Sequence, residues 1–516
     1  MPNVIFPRSV GDILGASARR WGAKTALVFE DETYSFNDLD RKSSLIAHHL
    51  EALGCRRGDC ISLYAANCPE WIVAYYAIMK IGAIANPLNL MLTPDEAAYA
   101  MNDCGARAVF GSADKIAGLA DVRNKTKLEH CIAFGGATPD GAIDFKTLLI
   151  DPEEESLLTG RYPVEGIDLD DVCTVGYTSG TTGHPKGAVL AHRSIVMNVA
   201  MTATMHTRTD RDVIASALPF SHVYGNIVMQ TAIAYGGTLV LYKTFDAGRV
   251  LQGIARHQCT LFEGVPTMYM YLLDYPALRE HDVSSLTRCT VGGQTMPEAQ
   301  MRAAEDALGC PLIELWGMTE LGGLGTTHTL YGPRKLGSIG IALPHLEARI
   351  FSLEGVLRAL PPGEVGELQI RGPVTMREYL GRPEATAETL MDGGWLRTGD
   401  LARIDDEGFI FVVDRLKDMI ITGGFNIYPA ELERVIAEHA DVAMVAVTAI
   451  PDAIKGELAK AYIVPKQGRT PDVADIEHHC RERLAAYKVP RAWQVVADLP
   501  KTSSGKVLRR LLKTLG

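Results

Sequence analysis

A segment rich in glycine and hydroxyl groups at residues 177–187 has the composition of a phosphate-binding loop. It reads Tyr-Thr-Ser-Gly-Thr-Thr-Gly-His-Pro-Lys-Gly. Glycines let backbone N–H groups approach a ligand closely, and hydroxyls and a lysine add further donors and a positive charge. The apolar runs at 171–176 and 188–190 predict a strand on each side, which disfavours a flexible linker. The predicted polyphosphate contacts are Thr178, Ser179, Gly180, Thr181, Thr182, Gly183 and Lys186.

Two later segments could contribute to a ligand site. Residues 291–297 predict a strand that ends in a turn with Gly293 and Gln294. Ligands of α/β proteins bind beyond the carboxyl ends of parallel strands. In residues 314–320, Trp316 precedes a glycine and offers a flat face to a purine.

Three oxygen-bearing side chains complete this set. Thr319 and Glu320 follow the aromatic residue and supply the hard oxygen ligands that Mg²⁺ prefers. Asp400 follows a Thr-Gly turn, where its carboxylate can accept both hydroxyls of a ribose. The residues predict a site for a metal-bound nucleotide.

Composition indicates an ordinary globular protein and excludes several classes. The 516 residues are 47% hydrophobic and 22% charged, enough for roughly three domain-sized units or for one large and one small domain. The net charge of −11 disfavours nucleic acid and anionic membranes as partners. Ten scattered cysteines without a C-x-x-C pair favour reduced thiols and a cytoplasmic protein. We expect no signal peptide and no transmembrane segment, because Lys80, Gly82 and Pro87 interrupt the most apolar stretch.

The order of predicted elements indicates the fold class. Helical and strand patterns alternate through residues 1–170 and 188–300, which predicts βαβ units and a mostly parallel sheet. Ser35 begins a helix, with Asp38 three residues later as a capping partner. After the charged run at 414–418, about one hundred residues predict a small α+β domain.

The motifs together resemble those of the adenylate-forming superfamily, which includes acyl-CoA synthetases. The likeness rests on residues 177–187, 314–320, 395–400 and 499–507, in the expected order, and runs from about residue 20 to 510. It implies an α/β fold with a large N-terminal domain of stacked βαβ sheets and a small mobile α+β C-terminal domain. By this resemblance the large domain is 1–414, the hinge is 415–420, and the small domain is 421–516.

The resemblance also implies residue roles. Lys506, in the terminal loop Lys-Thr-Ser-Ser-Gly-Lys, would be the catalytic lysine, and Lys417 would be the hinge pivot. Arg415 would contact the ribose or phosphate. Gly423 and Gly424 would line a tunnel for the pantetheine arm of coenzyme A, where glycines permit close backbone approach.

Family likeness assigns the remaining site residues. Glu320 and His222 would be catalytic: Glu320 would bind Mg²⁺ together with Thr182, and His222 would gate the carboxylate site. The nucleotide contacts outside the loop would be Gly293, Gln294, Glu314, Leu315, Trp316, Gly317, Met318, Thr319, Asp400 and Arg415. The acyl pocket would be lined by His222, Val223, Tyr224, Asn226, Gly264, Val265, Met268, Gly292 and Gly317.

The expected reaction is ATP- and Mg²⁺-dependent ligation of a carboxylic acid to coenzyme A through an acyl-adenylate. Residues 218–269 most resemble enzymes for aliphatic acids, fatty or shorter. Alternatives are an aryl- or hydroxycinnamoyl-CoA ligase, an enzyme loading a carrier protein, and a non-catalytic nucleotide-binding regulator. The sequence leaves open the acid, the acceptor thiol, the roles of Glu263 (expected to be solvated) and Trp316, and whether the chain forms a homodimer.

Overall fold

The computed structural model describes residues 7–150, 161–178, 185–353, 358–423, 425–452, 454–501 and 507–512. In the first part of the chain the helices are α1 (Val10–Trp21), α2 (Phe36–Ala52), α3 (Pro69–Lys80), α4 (Pro94–Asp103) and α5 (Ala113–Gly118). The strands there are β1 (Thr25–Phe29), β2 (Glu32–Ser35), β3 (Cys60–Tyr64), β4 (Ile84–Pro87), β5 (Ala108–Ser112), β6 (His130–Phe134), β7 (Ile143–Asp144) and β8 (Val172–Thr178).

The middle of the chain continues the alternation. Its helices are α6 (His192–Met205), α7 (Val223–Ala234), α8 (Ala247–His257), α9 (Pro266–Leu273) and α10 (Glu298–Leu308). Its strands are β9 (Lys186–Ala191), β10 (Val213–Ser216), β11 (Thr238–Leu241), β12 (Leu261–Gly264), β13 (Arg288–Val291), β14 (Leu312–Met318), β15 (Gly323–Thr327) and β16 (Ile341–Ala342).

A strand-rich segment precedes the C-terminal elements. Its strands are β17 (Glu347–Phe351), β18 (Gly366–Arg371), β19 (Glu378–Tyr379), β20 (Leu390–Met391), β21 (Trp395–Ile404) and β22 (Ile410–Arg415), with helix α11 (Pro383–Thr389). The last strands are β23 (Ile420–Thr422), β24 (Phe425–Ile427), β25 (Val442–Asp452), β26 (Gly456–Pro465) and β27 (Ala492–Val495). The last helices are α12 (Pro429–Ala437), α13 (Val473–Arg483) and α14 (Arg509–Leu512).

Within the described residues these strands form four sheets. A nine-stranded sheet has the order β16-β15-β14-β13-β12-β10-β11-β1-β2, and an eight-stranded sheet has the order β19-β9-β8-β4-β3-β5-β6-β7. Their central pairs are parallel, such as β12 with β13 and β3 with β5. Antiparallel strands are confined to one or both ends. The predicted alternation and mostly parallel sheets are confirmed, since helical crossovers return the chain in the same direction.

The remaining sheets are smaller. The third orders β17-β18-β21-β20, with β22 paired to β21, and its pairs are antiparallel. The fourth orders β24-β23-β26-β25, with β27 parallel to β26, and α12 and α13 pack together with it. Its strands and helices match the small α+β unit predicted from the sequence.

Buried apolar side chains follow the same division. The largest core cluster draws on residues from Val10 to Ile410, and separate clusters begin at Ile420. Since no core cluster of the described residues spans 411–419, the two parts have separate cores. The Ser35–Asp38 capping box forms as predicted: the Ser35 side chain accepts from the Asp38 N–H, and the Asp38 carboxylate accepts from the Ser35 N–H.

Candidate active site

The predicted phosphate-binding segment joins two antiparallel strands. Thr178, the last residue of β8, pairs with Lys186, the first residue of β9. Residues 179–184, which include Ser179, Gly180, Thr181, Thr182 and Gly183, lie outside the described residues. The prediction of two strands around this segment is confirmed, and the strand pair places its two ends side by side.

Tight packing joins this hairpin to the Thr319–Glu320 segment. A Cβ on Gly176, in β8, would lie 2.7 Å from Cγ2 of Thr319. Thr319 and Glu320 form a short 3-10 helix, Thr319–Leu321, directly after β14. The nucleotide-binding segments predicted from distant parts of the sequence therefore meet at the ends of β8 and β14.

Tyr379 lies between Lys186 and Glu320, and the sequence analysis did not identify it. Its ring centroid lies 5.3 Å from the Lys186 ammonium, and its hydroxyl donates to Glu320 Oε1 at 2.7 Å. Strand β19 pairs with β9, which brings the tyrosine beside the phosphate-binding segment. Tyr379 lies in a strand of two residues, too short for a hydrophobic period to single it out.

Glu320 is the carboxylate of this site that could bind a cation. It is buried, and burial raises its pKa, whereas the Tyr379 hydroxyl and the charge of Arg415 act in the opposite direction. No group of three or more His, Cys, Asp or Glu side chains that could bind a metal occurs among the described residues. One carboxylate nonetheless fits Mg²⁺, which proteins commonly hold through one or two carboxylates together with substrate phosphates.

Asp400 forms the centre of a second polar group near Glu320. Its Oδ2 accepts from Trp316 Nε1 at 2.8 Å, and its Oδ1 lies 2.7 Å from Nε of Arg415. The carboxylate is 2% exposed, and it interacts electrostatically with Glu320. Each carboxylate oxygen can accept a further hydrogen bond. The indole N–H of Trp316 therefore helps to hold Asp400 in place. An aromatic side chain without a hydrogen-bond donor, such as phenylalanine, could not make this contact.

The predicted turn after β13 contacts the end of the chain. Gly293 has φ +87°, a conformation that favours glycine, and Gln294 Oε1 accepts from the Val507 N–H at 2.9 Å. A Cβ on Gly292 would lie 2.3 Å from Cδ1 of Leu315, so close packing within the protein requires that glycine. Gln294 therefore joins the nucleotide-binding segments to the terminal residues.

Glu314 lies in β14, the third strand of the nine-stranded sheet counted from β16. It pairs with Val291 and is 2% exposed, and its Oε2 has no hydrogen-bond partner among the described residues. Burial raises its pKa to about 8. Its backbone carbonyl accepts from Oγ1 of Thr327 at 3.1 Å.

The predicted acyl-pocket residues come from α7 and the loop before it, from β12 and α9, and from the ends of β13 and β14. His222 is exposed at the helix N-terminus, as expected for the edge of a loop, and its Nδ1 accepts from the Tyr224 N–H at 3.3 Å. The buried members of the set are Tyr224, Asn226, Gly264, Val265, Met268 and Gly292, and Val223 and Gly317 are half-buried. A Cβ on Gly317 would lie 2.1 Å from the carbonyl oxygen of Gly323, so packing within the protein also explains this glycine.

The expectation that Glu263 is solvated is wrong. Glu263 is 1% exposed and forms an ion pair with Arg208, which is also buried. Thr290 donates to the same carboxylate, and the Tyr224 hydroxyl lies 3.2 Å from its Oε2. Arg208 precedes β10 and is 55 residues from Glu263 along the chain, so only the sheet brings the two together. A buried carboxylate needs such a partner to offset the cost of desolvation.

Comparison with known proteins shows the family. The family model described as AMP-binding enzyme matches residues 14–380, and the model described as AMP-binding enzyme C-terminal domain matches residues 431–506. The chain belongs to the AMP-binding enzyme family. It is 35% identical to a long-chain-fatty-acid–CoA ligase of Bacillus subtilis (strain 168), over 98% of this chain and 94% of that protein.

Further relatives differ in the acid that their names specify. This AMP-binding enzyme is also 35% identical to a feruloyl-CoA synthase of Amycolatopsis sp, over 94% of each chain. The crystal structure of the anthranilate CoA ligase AuaEII in complex with anthranoyl-AMP superposes with a TM-score of 0.91 at 28% identity, covering 99% of this chain and 98% of that one. The predicted superfamily, fold class and enzyme class, an ATP-dependent acid–CoA ligase, are confirmed at the level of the family.

The small domain of this AMP-binding enzyme contributes fewer described site residues. Lys506 and Gly424 lie outside them. Lys417 is exposed in a 3-10 helix, Leu416–Asp418, between β22 and β23. Gly423, with φ +54°, lies at the turn between β23 and β24, and no atom within 4 Å would contact a Cβ there. None of the described helices is both long and apolar enough to span a membrane.

Proposed function

We propose that the enzyme activates its acid at the site formed by Lys186, Glu320 and Asp400. The acid carboxylate attacks the α-phosphorus of ATP, and pyrophosphate leaves with the electrons of the broken P–O bond. Such a transfer depends on positioning and on charge neutralisation rather than on covalent help from the protein. The contact series Lys186–Tyr379–Glu320 supports this assignment, because it sets a cation and a carboxylate on either side of one phenol.

The nucleotide would be held at both ends. The predicted loop 178–187 would bind the β- and γ-phosphates, and Mg²⁺ held by Glu320 and Thr182 would supply further positive charge there. Asp400, fixed by Trp316 and Arg415, would accept the ribose hydroxyls. Lys506 would neutralise the charge that develops between the acid and the α-phosphate. The neighbour of Lys506 in the chain, Val507, already contacts Gln294 of the large domain.

Thioester formation would use a second arrangement of the small domain. The thiol of coenzyme A attacks the acyl carbonyl and AMP leaves, so Lys506 must give way to the thiol. Rotation about the hinge predicted at residues 415–420, with Lys417 as pivot, would turn Gly423 and Gly424 toward the site. We propose coenzyme A as the acceptor. We also propose the cytoplasm as the location, since all ten cysteines are free thiols.

For the acid, we propose a compact substrate: a short or medium aliphatic chain, or an aromatic ring. The hydroxyl of Tyr224, a predicted pocket residue, contacts Glu263 and Thr290, and Glu263 forms an ion pair with the buried Arg208. A long alkyl chain that extended past Tyr224 would have to displace these buried and mutually paired polar groups, which is unfavourable. The feruloyl-CoA synthase relative is named for an aromatic acid, one of the proposed classes, whereas the long-chain-fatty-acid–CoA ligase relative is named for a longer acid than we propose here.

A panel of acids tests this proposal. Pyrophosphate release would be measured with hexanoate, ferulate, anthranilate and palmitate, each with ATP and Mg²⁺, and acyl-CoA formation would be measured after addition of coenzyme A. We expect kcat/KM for the best compact acid to exceed that for palmitate by at least about tenfold, about 1.4 kcal/mol in transition-state binding. A preference for palmitate would contradict the compact pocket. Transfer of the acyl group to a carrier protein but not to free coenzyme A would contradict the proposal that coenzyme A is the acceptor.

A further inference from the structure

The terminal segment is attached to the large domain at both of its ends. Lys501 and Val507 form an isolated antiparallel bridge, so they lie side by side although five residues separate them. Lys501 Nζ donates to the Tyr271 hydroxyl at 3.2 Å and lies 5.7 Å from the centroid of the same ring. The Val507 N–H donates to Gln294 Oε1 at 2.9 Å. Two independent contacts therefore hold the base of the segment that contains Lys506.

Lys501 and Tyr271 are each held in place by a neighbouring side chain of their own domain. Asp498, three residues before Lys501, lies 2.6 Å from the ammonium, and the lysine side chain is 14% exposed. Tyr271, on α9, stacks on Phe245 with ring centroids 6.3 Å apart. Both groups are thus oriented toward one another by neighbours within their own domains, which lowers the entropic cost of the contact between domains.

We propose that Lys501 and Tyr271 form a latch that positions the small domain for acid activation and opens before thioester formation. The proposal rests on the proposed function, in which Lys506 acts in the first half-reaction and withdraws in the second. Lys501 is a positioning residue: it touches Tyr271 and not the reacting atoms. Tyr271 is 47% exposed, so water can replace the contact when the domains separate.

The strength of these contacts suits a reversible latch. A hydrogen bond of this kind, or a cation–π contact at an exposed site, changes an equilibrium by about 3- to 10-fold. Contacts much stronger than this would trap one arrangement, because a cycle that uses two arrangements needs both to be accessible. Loss of the latch should therefore lower the population competent for adenylation without blocking it.

Separate assays of the two half-reactions test the latch. We expect Lys501→Met and Tyr271→Leu each to lower kcat for pyrophosphate release by about 3- to 10-fold, with the KM for ATP unchanged. Conversion of supplied acyl-adenylate and coenzyme A to acyl-CoA should stay at or above the wild-type rate. Tyr271→Phe, which keeps the ring but loses the hydroxyl, should fall between wild type and Tyr271→Leu. Lys501→Arg should restore part of the lost rate.

A double variant and a control complete the experiment. Because both residues act through one contact, Lys501→Met with Tyr271→Leu should cost no more than the larger single change. The matched control is Lys42→Met: Lys42 Nζ lies 4.5 Å from the centroid of the Tyr34 ring within the large domain, and we expect both half-reactions to be unchanged.

Several outcomes would overturn the latch. These are an equal fall in both half-reactions, a double variant whose loss is the product of the single losses, or full activity in Lys501→Met. A wild-type enzyme that releases no pyrophosphate with any acid of the panel would instead refute the proposed function, so the two failures are distinguishable.

Discussion

Two buried carboxylates in the nine-stranded sheet, on strands that both pair with β13, have opposite surroundings. Glu263, in β12, has Arg208 and two hydroxyls around it. Glu314, in β14, has no hydrogen-bond partner for its Oε2 among the described residues, and burial raises its pKa to about 8. The charge of Glu263 is compensated within the protein, whereas burial favours the protonated, neutral form of Glu314.

We predict that Glu314→Gln stabilises the protein increasingly as the pH rises from about 4.5 to 8. In the unfolded chain Glu314 ionises near the ordinary value, whereas in the folded protein it keeps its proton to about pH 8. Unfolding therefore releases a proton between these values, and the stability of the wild type falls with increasing pH. Glutamine does not titrate. The difference should approach about 5 kcal/mol at most above pH 8.

Urea denaturation of both proteins at pH 5, 6.5 and 8 measures this effect. The control is Glu364→Gln, at an exposed turn. The difference in urea midpoint between this variant and the wild type should be the same at each pH. A constant difference between wild type and Glu314→Gln across the three pH values would show that the buried carboxyl is not the source.

At the scale of elements, helix α7 and the loop before it fit together without spare room. A Cβ on Gly225, in the first turn of the helix, would lie 2.2 Å from the carbonyl oxygen of Pro219. Backbone atoms cannot rotate away as a side chain can. The loop that presents His222 at the helix N-terminus therefore depends on this glycine.

We predict that Gly225→Ala destabilises the protein by about 1–3 kcal/mol and lowers kcat/KM for the acid, because the loop must shift to admit the methyl group. Thermal unfolding and pyrophosphate release measure the two effects. Gly118→Ala is the matched control: Gly118 also lies in a helix, α5, but a Cβ there would meet no atom within 4 Å. Equal behaviour of the two alanine variants would contradict the packing argument.

At the scale of the whole molecule, we propose one arrangement of the two domains for adenylation and a second arrangement for thioester formation. We predict that Lys506→Ala lowers the rate of adenylation by on the order of 100-fold or more, because a positive charge at the developing transition state is lost. Conversion of supplied acyl-adenylate with coenzyme A should be retained. Lys466→Ala, at an exposed position of the same domain, should leave both rates unchanged. An equal loss of both half-reactions would contradict this division.

The sequence by itself predicted the elements, the family and the residues of the candidate site. Alternating apolar patterns predicted the parallel sheets, Ser35 and Asp38 predicted a helix start, and the glycine-rich segment predicted two flanking strands. These features depend on residues close together in the chain, where spacing and side-chain chemistry act directly.

Tertiary structure alone decided which distant side chains meet. The partner of Glu263, the tyrosine between Lys186 and Glu320, and the contact of Lys501 with Tyr271 join residues 55 to more than 200 positions apart. No local period encodes such pairs, because sheet order and domain docking bring together residues that are far apart in the chain. A buried charge can therefore be recognised in the sequence as unusual, but its partner becomes visible only in the folded chain.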